Sequence, residues 1–404
     1  MRVCDITNFY HARSGGVKTY LHQKMMYFAN YSRHAHLVIV PGSRNEEKRY
    51  CNSIIRTIKA PEVPFARPYR IITDLDLVEQ IIHQFRPDII EAGCPFSIPR
   101  AAAYKHKYGC VLSGFYHSDF PKAFVRPNGG VIEKARSLAL EKAGYGLVKK
   151  LYCQTDINFA PSVTSASALL FHGISNVSVL PLGVDLEQFH PRRCGKHVRK
   201  LHGVPEESLL LLYAGRFGKE KGLITLQQAY EILSDRQSGR FHLLLVGDGP
   251  LGPLLKKWAL GRQDVTVLGY MPHKQLAGVY ASADLFVTAC AVETFGLTIL
   301  EAQASGLPVA AVASGAVTES VCPGASILAE PGMPEALAES ISLLAEKDLR
   351  GLGTRARKFM EVNYAWSITF NKLFAHYENL IGCRRPNRQR MSPSGVTSHT
   401  IAGA

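Results

Sequence analysis

The sequence predicts an α/β protein of two doubly wound domains facing one cleft. Three observations carry this. The chain has 404 residues, the natural size for two domains. Short apolar strands alternate with amphipathic helices throughout, the pattern of parallel sheets covered on both faces. The series breaks once, at the polar and basic stretch 185–200 with Pro191, which reads as an interdomain linker. The first series of strands is expected at 3–6, 37–40, 89–91, 111–115, 158–160 and 177–180. The second is expected at 209–215, 241–246, 265–268, 285–288 and 309–312. Ligands then belong in the cleft at the carboxyl ends of the strands.

Composition narrows the class. Hydrophobic residues make up 46% of the chain, ample for two cores. No run approaches 18 uninterrupted apolar residues, so no membrane span is expected, and the first residues lack the long apolar stretch of a signal peptide. The nine cysteines are scattered and include no CxxC, which points to a reducing cytoplasm and away from disulfides or zinc. The formal charge of +14 suits nucleic acid, anionic lipid or phosphorylated substrates. No zinc finger, RNP pattern or KH loop is present, which leaves a membrane surface or an anionic small molecule. Solubility alone is the bland alternative.

Two acids stand out in the run Glu293-Thr294-Phe295-Gly296-Leu297-Thr298-Ile299-Leu300-Glu301. The residues around them are apolar or small, so the helix they predict is buried. A carboxylate there is costly unless paired or bound. Along a helix the two acids would lie roughly 12 Å apart. That suits one extended polar ligand held at each end, with the positive helix start between. Pairing of either acid with an Arg or Lys explains it equally well.

Four loops extend the pattern. Gly15-Gly16 follows the first strand and lets backbone approach a ligand at a helix start. Gly215 ends a strand, and Arg216 with Lys221 then supplies two cations, which suits a diphosphate. His117 and Asp119 follow a buried strand; His117 could bond a sugar hydroxyl or phosphate, and Asp119 could orient it, bind an acceptor, or simply cap its loop. Residues 247–252 spell G-x-G-x-x-G, which raises an NAD-dependent oxidoreductase. However, the motif follows the second strand of its domain, and the next strand ends in Gly269-Tyr270 where an acid is expected. Pro250 makes a tight strand-to-helix turn the plainer reading.

Trp366, Phe370, Phe374 and Tyr377 recur at helical spacing near the end. That helix is expected to pack back on the first domain, though packing on its own domain fits as well. Beyond Cys383 the chain is basic and polar, and 384–404 is expected to be a disordered tail.

Taken in order, these pieces resemble the retaining glycosyltransferases of family 4, the glycogen-synthase-like group with the GT-B fold of two Rossmann-like domains. The resemblance covers about 1–380. It rests on Glu293-x-Phe-Gly-x4-Glu301 continuing to Gly306-Leu307-Pro308-Val309, on Gly215-Arg216 with Lys221-Gly222, and on Val246-Gly247-Asp248-Gly249-Pro250. Pro181-Leu182-Gly183-Val184-Asp185 with Phe189, and Gly15-Gly16-Val17, add to it. The resemblance implies an N-terminal acceptor-side domain (1–184), a C-terminal sugar-nucleotide-binding domain (185–364) and a returning helix (365–383).

It also implies roles. Glu301 would grip the donor ribose, and Glu293 the donor sugar. Arg216 and Lys221 would hold the diphosphate as leaving group, helped by backbone N–H groups at Phe295, Gly296 and Leu297. His117 would lie by the reacting centre, and Gly15 and Gly16 would face the diphosphate or acceptor. Departing phosphate would serve as base, with no metal or other cofactor. The stretch Tyr116–Pro121 is most similar to the mannosyl- and sulfoquinovosyltransferases of glycolipid synthesis. The expected donor is therefore GDP-mannose or a UDP-hexose, and the expected acceptor a lipid or glycan. The expected location is cytoplasmic, with peripheral contact at an anionic inner membrane face as an option, and no nucleic-acid partner is expected. Two departures border the donor sugar: Ala289–Val292 replaces a usual Pro-Ser pair, and Ser314-Gly315-Ala316 a usual Gly-Gly. An oxidoreductase and a non-catalytic sugar-nucleotide-binding protein are the alternatives.

Overall fold

The computed structural model describes residues 1–11, 15–31, 33–64, 69–119, 121–122, 131–195 and 198–390. Two sheets dominate it. The first comprises β1 (Arg2–Ile6), β2 (Ala35–Gly42), β3 (Glu46–Tyr50), β4 (Ser53–Lys59), β5 (Ile89–Ala92), β6 (Val111–Phe115), β7 (Ile157–Ala160) and β8 (Val177–Val179). Their spatial order is β3-β4-β2-β1-β5-β6-β7-β8, parallel except for the β3–β4 pair. The second sheet is wholly parallel: β9 (Leu209–Ala214), β10 (Phe241–Val246), β11 (Val265–Leu268), β12 (Leu285–Thr288), β13 (Val309–Val312) and β14 (Ser326–Ala329), in the order β11-β10-β9-β12-β13-β14.

Each sheet reverses its winding once. In the first, β1 lies between β2 and β5; in the second, β9 lies between β10 and β12. Loops leaving such neighbouring strands in opposite directions open a crevice at their carboxyl ends. The loops after β1, β9 and β12 carry Gly15-Gly16, Gly215–Gly222 and Ala289–Gly296.

Three strands lay outside the expected series. β3 reads Glu-Glu-Lys-Arg-Tyr and lies on the sheet edge, half exposed to exposed, so no apolar alternation marks it. Charge on an edge strand also discourages pairing with another chain. β4 is partnered on both sides, and β14 has four residues. Residues 185–200 are not a free linker among those described. Phe189 is buried against Tyr280 at 5.6 Å between ring centres. The guanidinium of Arg357 donates to the carbonyls of Leu186, Phe189 and Ala304.

The last helix, Trp366–Arg390, extends seven residues beyond the expected start of a disordered tail; 391–404 lie outside the described residues. It packs on the first domain. Tyr27 meets Phe370 and Phe374 at 5.3 Å each, and Phe28 meets Phe374 at 5.1 Å. The chain thus passes between domains twice, at neighbouring points. Val184 bridges Ala365, and its N–H donates to the Tyr364 carbonyl at 2.7 Å. No described helix is long and apolar enough to cross a membrane.

Candidate active site

The loop after β12 and the helix Leu297–Ala304 form one wall of the crevice. Glu293 precedes that helix rather than lying on it, because Gly296 takes a left-handed φ of 90° and starts the helix at Leu297. The helical spacing expected between the acids therefore does not apply. Ile299 and Leu300 are buried behind the site, and Phe295 packs inward against Tyr364.

Glu293 does have a basic partner. The Lys221 ammonium lies 2.7 Å from its carboxylate, with both side chains partly buried. Burial alone would push the Glu293 carboxyl up; the charge and hydrogen bond of Lys221 more than offset this and hold it low. The same pair holds Lys221 protonated against its own burial. The main chain of Glu293 is fixed by the loop after β13, where the Ala316 N–H donates to its carbonyl at 3.3 Å. Both departures from the family pattern thus touch this acid, since the Cys290 thiol bonds its carboxylate, and Ser314 Oγ ties the two loops together by donating to the Ala291 carbonyl at 2.5 Å.

Glu301 lies one turn into that helix and is 5% exposed. Its described partner is the Tyr280 hydroxyl, which donates at 3.1 Å. Burial pushes its carboxyl up to about 8, and the Tyr280 hydrogen bond only moderates this. Between pH 4.5, its ordinary value, and about 8, the folded chain keeps a proton that the unfolded chain has lost. Stability must then fall as pH rises across that window. The Glu301→Gln variant should gain over wild type in urea midpoint between pH 5 and pH 8; a constant difference would refute the raised carboxyl.

Across the crevice, the Gly15–Gly16 backbone starts the helix Gly16–Tyr31. A side chain on Gly16 would come within 3.2 Å of Leu297 Cδ1, so the two helix starts meet there. Other contacts also join the domains: Ser162 Oγ donates to the Thr294 carbonyl at 3.0 Å, and Glu319 accepts from the N–H groups of Val163 and Thr164 at 2.6 and 2.8 Å. A cavity of about 40 Å³ remains between the domains, lined by Thr19, Asp185, His273, Leu297, Glu301 and Trp366. Arg216 is exposed, 3.8 Å from Glu220, and its charge reaches His11 and Tyr69 of the first domain.

His117 stacks on Phe115 at 4.0 Å and nearly parallel, and its buried Nδ1 has no hydrogen-bond partner among the described residues. Burial holds its ring down to about 4, so it is neutral at physiological pH. Asp119 does not orient it. Its carboxylate accepts from the Tyr116 and Tyr145 hydroxyls at 3.1 and 2.9 Å, which makes it the anchor of its own loop. The 247–252 loop is filled by protein: side chains at Gly247 and Gly249 would strike the Gly215 and Phe217 carbonyls at 1.8 and 2.7 Å. Its glycines serve packing against the Arg216 loop rather than a dinucleotide.

Two sequence families divide the chain between them: Glycosyltransferase Family 4 over 14–188 and Glycosyl transferases group 1 over 196–359. The chain is a family 4 glycosyltransferase. Among relatives of the glycosyltransferase, a GDP-mannose-dependent alpha-(1-6)-phosphatidylinositol dimannoside mannosyltransferase of Mycobacterium tuberculosis is 27% identical, over 91% of this chain and 93% of that one. A GDP-mannose-dependent alpha-mannosyltransferase of Corynebacterium glutamicum is 30% identical, over 68% of this chain and 63% of that one. The sucrose-phosphate synthase of Thermosynechococcus elongatus shares the fold, with a TM-score of 0.73 at 21% identity over 95% of this chain and all of that one. The glycosyltransferase thus has the GT-B architecture, and the oxidoreductase reading is set aside.

The glycosyltransferase brings Glu293, Lys221, Phe295, Gly296, Leu297 and Gly16 to one crevice, with Glu301 behind and Arg216 at the rim. Sequence reasoning missed Tyr280, the partner of Glu301. Only its place in the last turn of an amphipathic helix, His273–Tyr280, could have marked it.

Proposed function

We propose that this glycosyltransferase moves a mannosyl group, with retention, from GDP-mannose to an anionic lipid acceptor of the phosphatidylinositol type. The Lys221–Glu293 pair at the reversal point of the second sheet carries the reading. It presents a fixed cation for the diphosphate and a fixed carboxylate for the sugar hydroxyls, within one ion pair of each other. Lys221 and Arg216 neutralise the departing diphosphate, and the N–H groups at the start of the Leu297–Ala304 helix add to this. Glu301 accepts from the ribose hydroxyls. Neutral His117 supplies a hydrogen bond beside the sugar, and a departing phosphate oxygen takes the acceptor proton. With two cations in place, no metal is needed, so chelator should leave turnover unchanged. The printed activities of the mycobacterial and corynebacterial relatives support the choice of donor.

The acceptor reading rests on a cavity of about 1180 Å³ in the first domain. Lys18, Arg44, Lys48 and Arg70 outnumber its acids Glu46 and Glu62, and Met25, Met26 and Ile55 supply an apolar wall. It lies beside the crevice, since His11 on its wall is held low by burial, then by Lys18 and Arg216. A space of that size exceeds a hexose and suits a charged headgroup with part of an acyl chain. Binding at an anionic membrane surface follows from the same chemistry and from the +14 charge.

A ligand that binds only the native state raises the melting midpoint. Titration with GDP, UDP, ADP, their hexose conjugates and NAD should show the largest shift with GDP and GDP-mannose. A larger shift with UDP-glucose would overturn the donor, and absence from anionic vesicles at low salt would overturn the membrane surface.

A further inference from the structure

The core of the first domain holds a charged cluster that the transfer chemistry above does not use. Lys24 is fully buried, with its ammonium 2.8 Å from Asp5 and 3.3 Å from Glu91. The two acids come from β1 and β5, the strands at the reversal point of the sheet. Glu91 Oε2 also accepts from the Tyr20 hydroxyl at 3.2 Å and from the Tyr377 hydroxyl. Asp5 is bonded through its other oxygen to His36 at 2.5 Å, and His36 meets Ser53 at 3.1 Å. Ser113 bonds the Tyr377 hydroxyl at 3.2 Å.

Such a cluster is a poor source of stability, because desolvating the charges consumes most of what their attraction returns. Its value lies in direction: every donor is aimed at buried acceptors fixed on the strands. Three elements meet on Glu91. Tyr20 and Lys24 lie one turn apart on the helix that starts at Gly16. Tyr377 belongs to the last helix, which arrives from the second domain. Glu91 is on β5, next to the β6 strand that leads to His117.

Tyr20 links this cluster to the site. Its hydroxyl is bound to Glu91, while its ring lies 5.0 Å from the His117 ring and 4.9 Å from Phe115. Trp366 and Phe370 of the last helix close around the same ring at 6.2 and 5.8 Å. His117 is therefore packed against two aromatic rings that also touch each other, one of them aimed by a buried carboxylate. One turn before Tyr20, Gly16 meets Leu297 at the start of the other domain's helix.

We propose that Tyr377, Glu91 and Tyr20 are positioning residues for the transfer, through which the last helix sets the placement of His117 and of the Gly16 helix start. None of them need touch substrate. The inference rests on the reading that places His117 beside the donor sugar.

The Tyr377→Phe variant tests it, since it removes one hydroxyl and keeps the ring. With GDP-mannose and phosphatidylinositol-bearing vesicles, kcat should fall about tenfold, a displacement well short of 1 Å being enough for that. KM for GDP-mannose should stay within about twofold and the melting midpoint within about 4 °C. The His117 ring resonance, assigned with His117→Gln, should shift in the uncomplexed protein. Tyr20→Phe should reproduce all of this by the independent route. A loss of stability with unchanged kcat, or an unmoved His117 resonance in both variants, would overturn the proposal. If wild-type protein transfers nothing from GDP-mannose, the functional reading fails, and the resonance still decides whether the three residues position His117.

Discussion

Lys221→Ala is expected to cut kcat by about a hundred- to a thousandfold, the usual cost of removing one preorganised donor from a developing anion. The substitution also takes away the group that holds the Glu293 carboxyl low. Without the ammonium at 2.7 Å, burial acts on Glu293 unopposed, and its carboxyl moves up. Unfolding should become easier by about 1–3 kcal/mol, below the range for a fully buried broken pair because both side chains are partly solvated. Glu293→Gln should lose activity on its own, and the double variant should lose less than the two single effects combined. Steady-state rates and urea midpoints on the four proteins check this. Additive losses, or wild-type turnover in Lys221→Ala, would separate the two groups and remove the pair from the mechanism.

At pH 8.5, where its carboxyl is ionised, Glu301→Ala should weaken GDP binding by about ten- to a hundredfold, since about 1.5–3 kcal/mol attaches to a hydrogen bond with a charged partner. Its effect on stability should have the opposite sign at alkaline pH. Above about pH 8, folding the wild-type chain must bury an ionised carboxylate beside little more than the Tyr280 hydroxyl. The alanine variant escapes that cost and leaves only the tyrosine hydroxyl wanting a partner. Lower affinity with unchanged or higher stability at pH 8.5 would mark Glu301 as a ligand-binding residue retained against its energetic cost. Calorimetric titration with GDP, alongside thermal melts, reads both. Unchanged GDP affinity would exclude it from the ribose site.

How far the sequence foretold the molecule depends on what each element had to do. Buried parallel strands such as Phe241–Val246 announce themselves because both faces are covered and every residue but His242 is apolar. β3 does not, because its charges follow from its place on an edge. The helix Leu297–Ala304 was visible as an apolar run, but the residue pattern alone did not fix its start; the family resemblance placed it near Gly296 and Leu297. A glycine with positive φ can either begin or end a helix, and only the fold shows which. The acid pair and the two cations were legible as residue types. That Lys221 would meet Glu293 was not, because 72 residues separate them and a third group, Arg216, offered the same charge. Tyr280 and the Lys24 cluster were invisible for a related reason. A tyrosine or lysine on an amphipathic helix reads as a residue of the solvent boundary. Its burial depends on acids supplied by strands far along the chain.

The return of the last helix has a consequence for exchanging parts between relatives. The first domain of this molecule is built from two separate stretches, one on each side of the second domain. A chimera spliced once near Val184 would join a foreign first half to the resident Trp366, Phe370 and Tyr377, which are fitted to Tyr20, Tyr27 and Glu91. Recombination that preserves function must therefore carry both stretches together. In topology the second domain is an insert within its neighbour. A change in the cavity wall of the first domain is then more readily made in place than by replacing the domain that bears it.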